Sequence, residues 1–240
     1  MASPKVRQSL PCGPLLPRHQ ARKKRSRSIE KSSQAGSKPK AVLPKNFSID
    51  GLVDKNIDSP VDFLKALFSV NDRCRESIQH RHFTFTKPTE AETDAYDLEV
   101  VRAIREGNLH KLRGMLKEGK EFDACNKFGE SLIHMACRRG DVKVVRFLIE
   151  EAKVKVDRLD DFARTILHDA LWTPKPNLEL MKLLLTKVPP SMLLASDARG
   201  HTPFHYARQE HWAAWTAFLR EHAATILQRL SLLKAFQLVR

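Results

Sequence analysis

Apolar residues recur at helical spacing in short blocks along this chain, and most blocks are punctuated at their ends. Ser59-Pro60-Val61-Asp62 joins an N-cap residue, a proline at the first helical position and an early acid, and Phe63, Leu64, Leu67 and Phe68 follow on one face. This predicts a short amphipathic helix. A helix of about three turns is rarely stable alone; it either docks on the main body or is carried on a linker for a partner, and docking is the expectation. The alternation in His80-Arg81-His82-Phe83-Thr84-Phe85-Thr86 reads as extended chain. Thr89 to Glu92, after Pro88, has the form of a capping box and predicts one helix carrying Leu98, Val101 and Ile104 on a single face and ending at Gly107. A second helix, Leu109 to Glu118, follows at once and stops near Gly119. Two antiparallel helices joined by so short a turn point to stacked helix pairs.

A longer period runs through these blocks. Ser131-Leu132-Ile133-His134-Met135-Ala136, Thr165-Ile166-Leu167-His168-Asp169-Ala170 and Thr202-Pro203-Phe204-His205-Tyr206-Ala207 are versions of one hexapeptide, with histidines 34 and 37 residues apart. A turn residue precedes each at the same offset (Gly129, Ala163, Gly200), and an aliphatic helix follows each, at Val142 to Ile149, Leu178 to Leu185 and Trp212 to Leu219. In motif, order and spacing the chain resembles the ankyrin-repeat family, whose period is about 33 residues and whose signature is Thr-Pro-Leu-His-x-Ala.

The resemblance covers residues 89–223 and implies an all-α solenoid of about four helix-pair units, each stabilised by stacking on its neighbours. Leu132, Ile133, Leu148, Leu167, Leu184, Phe204 and Leu219 are the expected interior. Asp97 to Gly119 matches only the second half of the repeat, in Arg105-Glu106-Gly107-Asn108 and Leu116-Lys117-Glu118-Gly119, and resembles an N-terminal cap. Two departures put the local stacking angle in doubt: the prolyl loop Trp172-Thr173-Pro174-Lys175-Pro176-Asn177 between the two helices of a unit, and Val188-Pro189-Pro190 after the outer helix. From Ala223 onward, Ile226, Leu227, Leu230, Leu233 and Phe236 keep helical spacing. Residues 224–240 are expected to form a C-terminal capping helix, with a dimerisation helix as the alternative.

Charge divides the chain in two. The 240 residues carry a formal +14, but residues 1–45 hold twelve basic side chains and one acid, net +11, while the remaining 195 hold 30 basic and 27 acidic, net +3. A uniformly basic domain tracking phosphate backbones is therefore not described. Rich in Pro, Ser, Lys and Arg and without aromatics, residues 1–45 are expected to be a disordered tail, and residues 46–88 a linker bearing the short helix. Arg22, Lys23, Lys24, Arg25 and Arg27 form a dense cluster suited to nuclear import. A transit peptide is the second reading, since acids are absent until Glu30; a solvated charge run is the third. No apolar run reaches the roughly 20 residues of a membrane span, the secretory pattern is lacking, and Cys12, Cys74, Cys125 and Cys137 fit a reducing compartment. The expectation is an intracellular protein, with the nucleus favoured over the cytoplasm or an organelle.

Candidate chemistry is sparse. His134, His168 and His205 with Cys125, Cys137 and Asp169 invite a nucleophile-and-base reading, but residues repeated once per unit lie a repeat apart, whereas a dyad needs contact at about 3 Å. In the family, this histidine and the Ser or Thr three residues earlier belong to the hydrogen bonding of the turn. Cys74, His80 and His82 lack metal-ligand spacing. No catalytic residue, metal or cofactor is expected. The resemblance implies binding of another protein through turn tips and the exposed side of inner helices, and its register assigns these to Lys127, Phe128, Glu130, Arg138, Arg139, Asp161, Phe162, Arg164, Trp172, Arg199, His201 and Gln209. Phe128, Phe162 and Trp172 are either partner contacts or packed on the next unit. Arg138, Arg139 and Arg164 suggest an acidic patch on the partner, or are simply solvated. A monomeric protein-binding adaptor is the leading reading, and a polyanion-associated protein using only the basic tail is the alternative.

Overall fold

A computed structural model describes residues 57–69 and 84–237, with side chains through Ser231. The basic cluster at 22–27, the remainder of residues 1–45, and Cys74, His80 and His82 lie outside the described residues.

Among the described residues the regular structure is helical, with a single isolated antiparallel bridge, Cys125 to Ser131. The helices are α1 (Pro60–Ser69), α2 (Glu90–Asp94), α3 (Leu98–Glu106), α4 (Leu109–Lys117), α5 (Leu132–Arg139), α6 (Val142–Glu150), α7 (Ile166–Leu171), α8 (Leu178–Lys187) and α9 (Trp212–Gln237). Two rows result. The inner row runs α3, α5, α7 and a short 3-10 turn at Pro203–Tyr206; the outer row runs α4, α6, α8 and α9. The core lies between the rows, and all seven residues expected there, from Leu132 to Leu219, are fully buried.

Local chemistry fixes where each helix begins. Asp97, Asn108, Asp141 and Asn177 each cap a helix by accepting an amide N–H of its first turn. Gly107 and Gly140, at φ 66° and 73°, end α3 and α5 in the left-handed region that a β-carbon disfavours.

Three expectations are corrected. The helix predicted from Thr89 to Gly107 is two helices: Asp97 supplies a fresh N-cap, accepting Glu99 N–H at 2.7 Å, so Leu98 begins α3 and stands 79 % exposed rather than facing the core. The last hexapeptide does not open an α-helix, because Ala207 leaves the helical region at φ −71°, ψ 130°; the inner element of the fourth unit is 3-10 only. The outer helix of that unit and the expected separate capping helix are one continuous helix, α9, with no break near residue 223.

The end of the stack is closed from two sides. α9 buries Trp215, Phe218, Leu219, Ala223, Ile226, Leu227 and Leu230, and α1, from the other end of the described chain, packs against it. Phe63, Leu64, Leu67 and Phe68 of α1 are buried, each contributing about 2 kcal/mol by area. Thr216 Oγ1 donates to the Asp58 carbonyl at 2.9 Å across 158 residues of sequence, and the Arg220 guanidinium stands 5.7 Å from the Phe63 ring.

Candidate functional site

Each hexapeptide builds a link to the following unit. His134 Nδ1 accepts the Ser131 amide at 3.3 Å and lies 2.7 Å from its hydroxyl, which leaves the proton on Nε2 facing the Arg164 carbonyl of the next unit at 3.2 Å. His168 repeats this with Thr165 and the His201 carbonyl at 3.1 Å. His205 makes the same contacts to Thr202 at 2.9 Å, but it is exposed, with no carbonyl of a following unit against its ring among the described residues. Burial drives the first two histidines down to about 4, so both are neutral donors, and the dyad reading has no support in their geometry.

The turn tips are organised by a residue the sequence reading overlooked. Asn126, Asp160 and Asp197 each accept two amides across their own tip: Phe128 and Glu130, Phe162 and Arg164, Arg199 and His201, at 2.7–3.1 Å. Their common position, five residues before each Ser or Thr of the hexapeptide, was the available signal. Backbone bonds of 2.8 Å from Asp161 to the Phe128 carbonyl and from Ala198 to the Phe162 carbonyl staple the tips into a row.

This row sets out the candidate binding residues. Phe128 (51 %), Phe162 (47 %) and Trp172 (55 %) stand about half exposed, each touching a neighbour: Lys127 Nζ is 5.0 Å from the Phe128 ring, Arg164 5.2 Å from the Phe162 ring, and Tyr206 5.4 Å from Trp172. Lys127, Asp161, Arg199, His201 and Gln209 are exposed. The arginine trio does not form an open basic patch. Arg138 is held between Glu130 and Asp169 at 2.8 Å, Arg164 lies 2.6 Å from Asp160, and Arg139 donates to the Arg105 carbonyl. Carboxylates of the chain itself neutralise two of the three. Asp169, fully buried on the inner row, is pushed by burial up to about 7, with Arg138 pulling it back.

A groove of about 640 Å³ opens where the third unit meets the fourth. It gathers Phe162, Arg164, Trp172, Arg199 and His201 from the assigned set and adds Pro174, Asp197, His205, Tyr206 and Arg208, which that set missed. Tyr206 was legible by register, since it occupies the hexapeptide position of Met135 and Asp169. The prolyl loop, marked as a disturbance to stacking, forms a wall of this groove: Asn177 Nδ2 ties it to the Gly140 carbonyl at 2.8 Å and His211 to the Pro174 carbonyl at 3.0 Å. Tyr206 donates to Asp197 at 2.6 Å, and burial together with that carboxylate pushes its hydroxyl up to about 12. Burial works against the Asp197 carboxylate, but Tyr206 and the two tip amides outweigh it and hold its carboxyl below the ordinary range. Gln209 lies apart, in a smaller hollow with Asp58 and Arg220. Lys127, Phe128, Glu130, Arg138, Arg139 and Asp161 lie outside the groove lining.

A family profile described as ankyrin repeats matches three copies across residues 100–191. Residues 100–191 are ankyrin repeats. The ankyrin stack extends further in structure than the profile does, because Thr202 and His205 rebuild the same hydrogen-bonded box beyond its end. Repeats of this family generally serve to bind other proteins. The chain is also similar to a protein of Caenorhabditis elegans described as putative glutaminase 2, at 29 % identity over 73 residues, 30 % of this chain and 12 % of that protein. It therefore spans a small part of that relative's length. Among the described residues no group of three or more His, Cys, Asp or Glu is placed to hold a metal, and no helix is long and apolar enough to cross a membrane.

Proposed function

We propose that this chain is a non-enzymatic adaptor whose ankyrin stack grips a partner protein along the turn tips and the exposed side of the inner row. The observation that carries this reading is the placement of Phe128, Phe162 and Trp172, large apolar side chains left about half exposed on a framework that buries the seven interior residues from Leu132 to Leu219. Aromatics beside arginines are the side chains on which interface energy concentrates. Replacing all three by alanine is expected to leave a cooperative thermal transition close to that of the parent, since exposed positions contribute little to stability, while abolishing affinity capture of partner proteins. Undiminished capture by the triple variant overturns the assignment.

Arg22, Lys23, Lys24, Arg25 and Arg27 are read as a nuclear-import signal on the basic tail. A reporter fused to residues 1–45 is expected to accumulate in the nucleus, and a diffuse or organellar distribution overturns that part of the reading.

A further inference from the structure

The groove between the third and fourth units differs in charge from the rest of the tip row. Three arginines and one aspartate line it. Asp197 is fully engaged: Oδ1 accepts two tip amides and Oδ2 accepts the Tyr206 hydroxyl. Arg164 is already paired with Asp160. The guanidinium of Arg199 has no carboxylate partner among the described residues, its one ring contact being Phe162 at 6.0 Å, and Arg208 makes only a 3.5 Å contact with Glu210 in which both side chains are about 60 % exposed. Such an exposed pair contributes little and yields readily to a better acceptor. Two positive charges thus face the groove with their hydrogen-bonding capacity uncommitted, beside the half-exposed faces of Phe162 and Trp172.

Resting on the protein-binding reading above, we infer that this groove receives an acidic segment of the partner, its carboxylates meeting Arg199 and Arg208 and an adjacent apolar side chain lying against Phe162 and Trp172. Guanidinium groups favour bidentate pairing with carboxylates, and each aromatic face offers apolar contact that needs no hydrogen-bond match. A nucleic-acid backbone fits less well. Phosphate tracking relies on a run of cationic contacts, and only two such side chains here are uncommitted.

Selection of a random short-peptide display library on the full chain tests this, with Arg199→Glu/Arg208→Glu and Phe162→Ala as parallel baits and thermal melting as the check on folding. The parent is expected to enrich peptides carrying Asp or Glu next to an aromatic or aliphatic residue. A synthetic copy of the strongest peptide is expected to perturb tryptophan fluorescence and to lose at least tenfold in affinity on charge reversal and on Phe162→Ala. Enriched peptides with no excess of acids, or binding indifferent to charge reversal, overturn the inference. If such peptides still lose affinity with Phe162→Ala, the protein-binding reading survives without it. Binding of a single-stranded RNA oligonucleotide that charge reversal abolishes, or no enrichment over an empty bait, also overturns it.

Discussion

The junction between the second and third units and the junction between the third and fourth are built from the same hexapeptide, yet one is sealed and the other is open. At the first, α5 packs on α7, His134 is enclosed, and Arg138 is closed off by Glu130 and Asp169. At the second, the inner element shrinks to a 3-10 turn, the prolyl loop stands up as a wall, and Arg199 keeps its charge outward. The contrast teaches that the motif fixes the backbone link, whereas the two or three side chains around it decide whether a junction closes or is left open as a groove.

The largest way to stress this contrast is acid. His134 and His168, held at about 4 against an ordinary 6.5, take up protons on unfolding throughout that window. The stability they confer is complete above about pH 6.5 and is lost as pH falls toward 4, on the order of 3 kcal/mol per histidine. Asp169 runs the other way: its carboxyl, raised to about 7, binds a proton more readily when folded, so its penalty grows as pH rises from 4 to 7. Denaturant titrations across pH 4–7 are expected to show a net loss at low pH that is steeper in Asp169→Asn. A flat profile in both proteins contradicts the buried-histidine account.

Next in size is the difference between equivalent histidines. His134→Ala strands the Ser131 amide in the interior, removes one of the two hydrogen bonds to the Arg164 carbonyl and is expected to cost about 3 kcal/mol, whereas exposed His205→Ala costs about 1 kcal/mol or less. Equal midpoint shifts in urea would erase the distinction between a buried histidine that links two units and an exposed one that does not.

The tips give the finest test. A β-carbon on Gly129 would meet the Phe85 ring at 2.7 Å, while one on Gly200 meets open space. Both have positive φ. Gly129→Ala is therefore expected to cost about 2 kcal/mol and Gly200→Ala about 1 kcal/mol, the second being backbone strain alone. Ala163 holds the same tip position at φ 57°, and Ala163→Gly is expected to raise stability by up to about 1 kcal/mol. Differential scanning calorimetry on the three variants should rank them in that order.

The sequence by itself determined the repeat. Hexapeptide spacing, the tip residues and the seven interior positions from Leu132 to Leu219 follow from interactions within a few residues, so a linear pattern suffices to specify them. It also placed Phe162, Trp172, Arg199 and His201 on the face where the groove opens, because register along a repeat is a local property. The tertiary structure alone decided the rest. Arg138 meets Asp169 across 31 residues, and α1 meets α9 across more than 150; nothing in the local pattern of either partner announces the other. The same holds for the groove, whose wall is an insertion that a repeat template treats as an irregularity. Short-range hydrogen bonding and periodicity made the ankyrin units, and packing between distant segments chose which junction was left open.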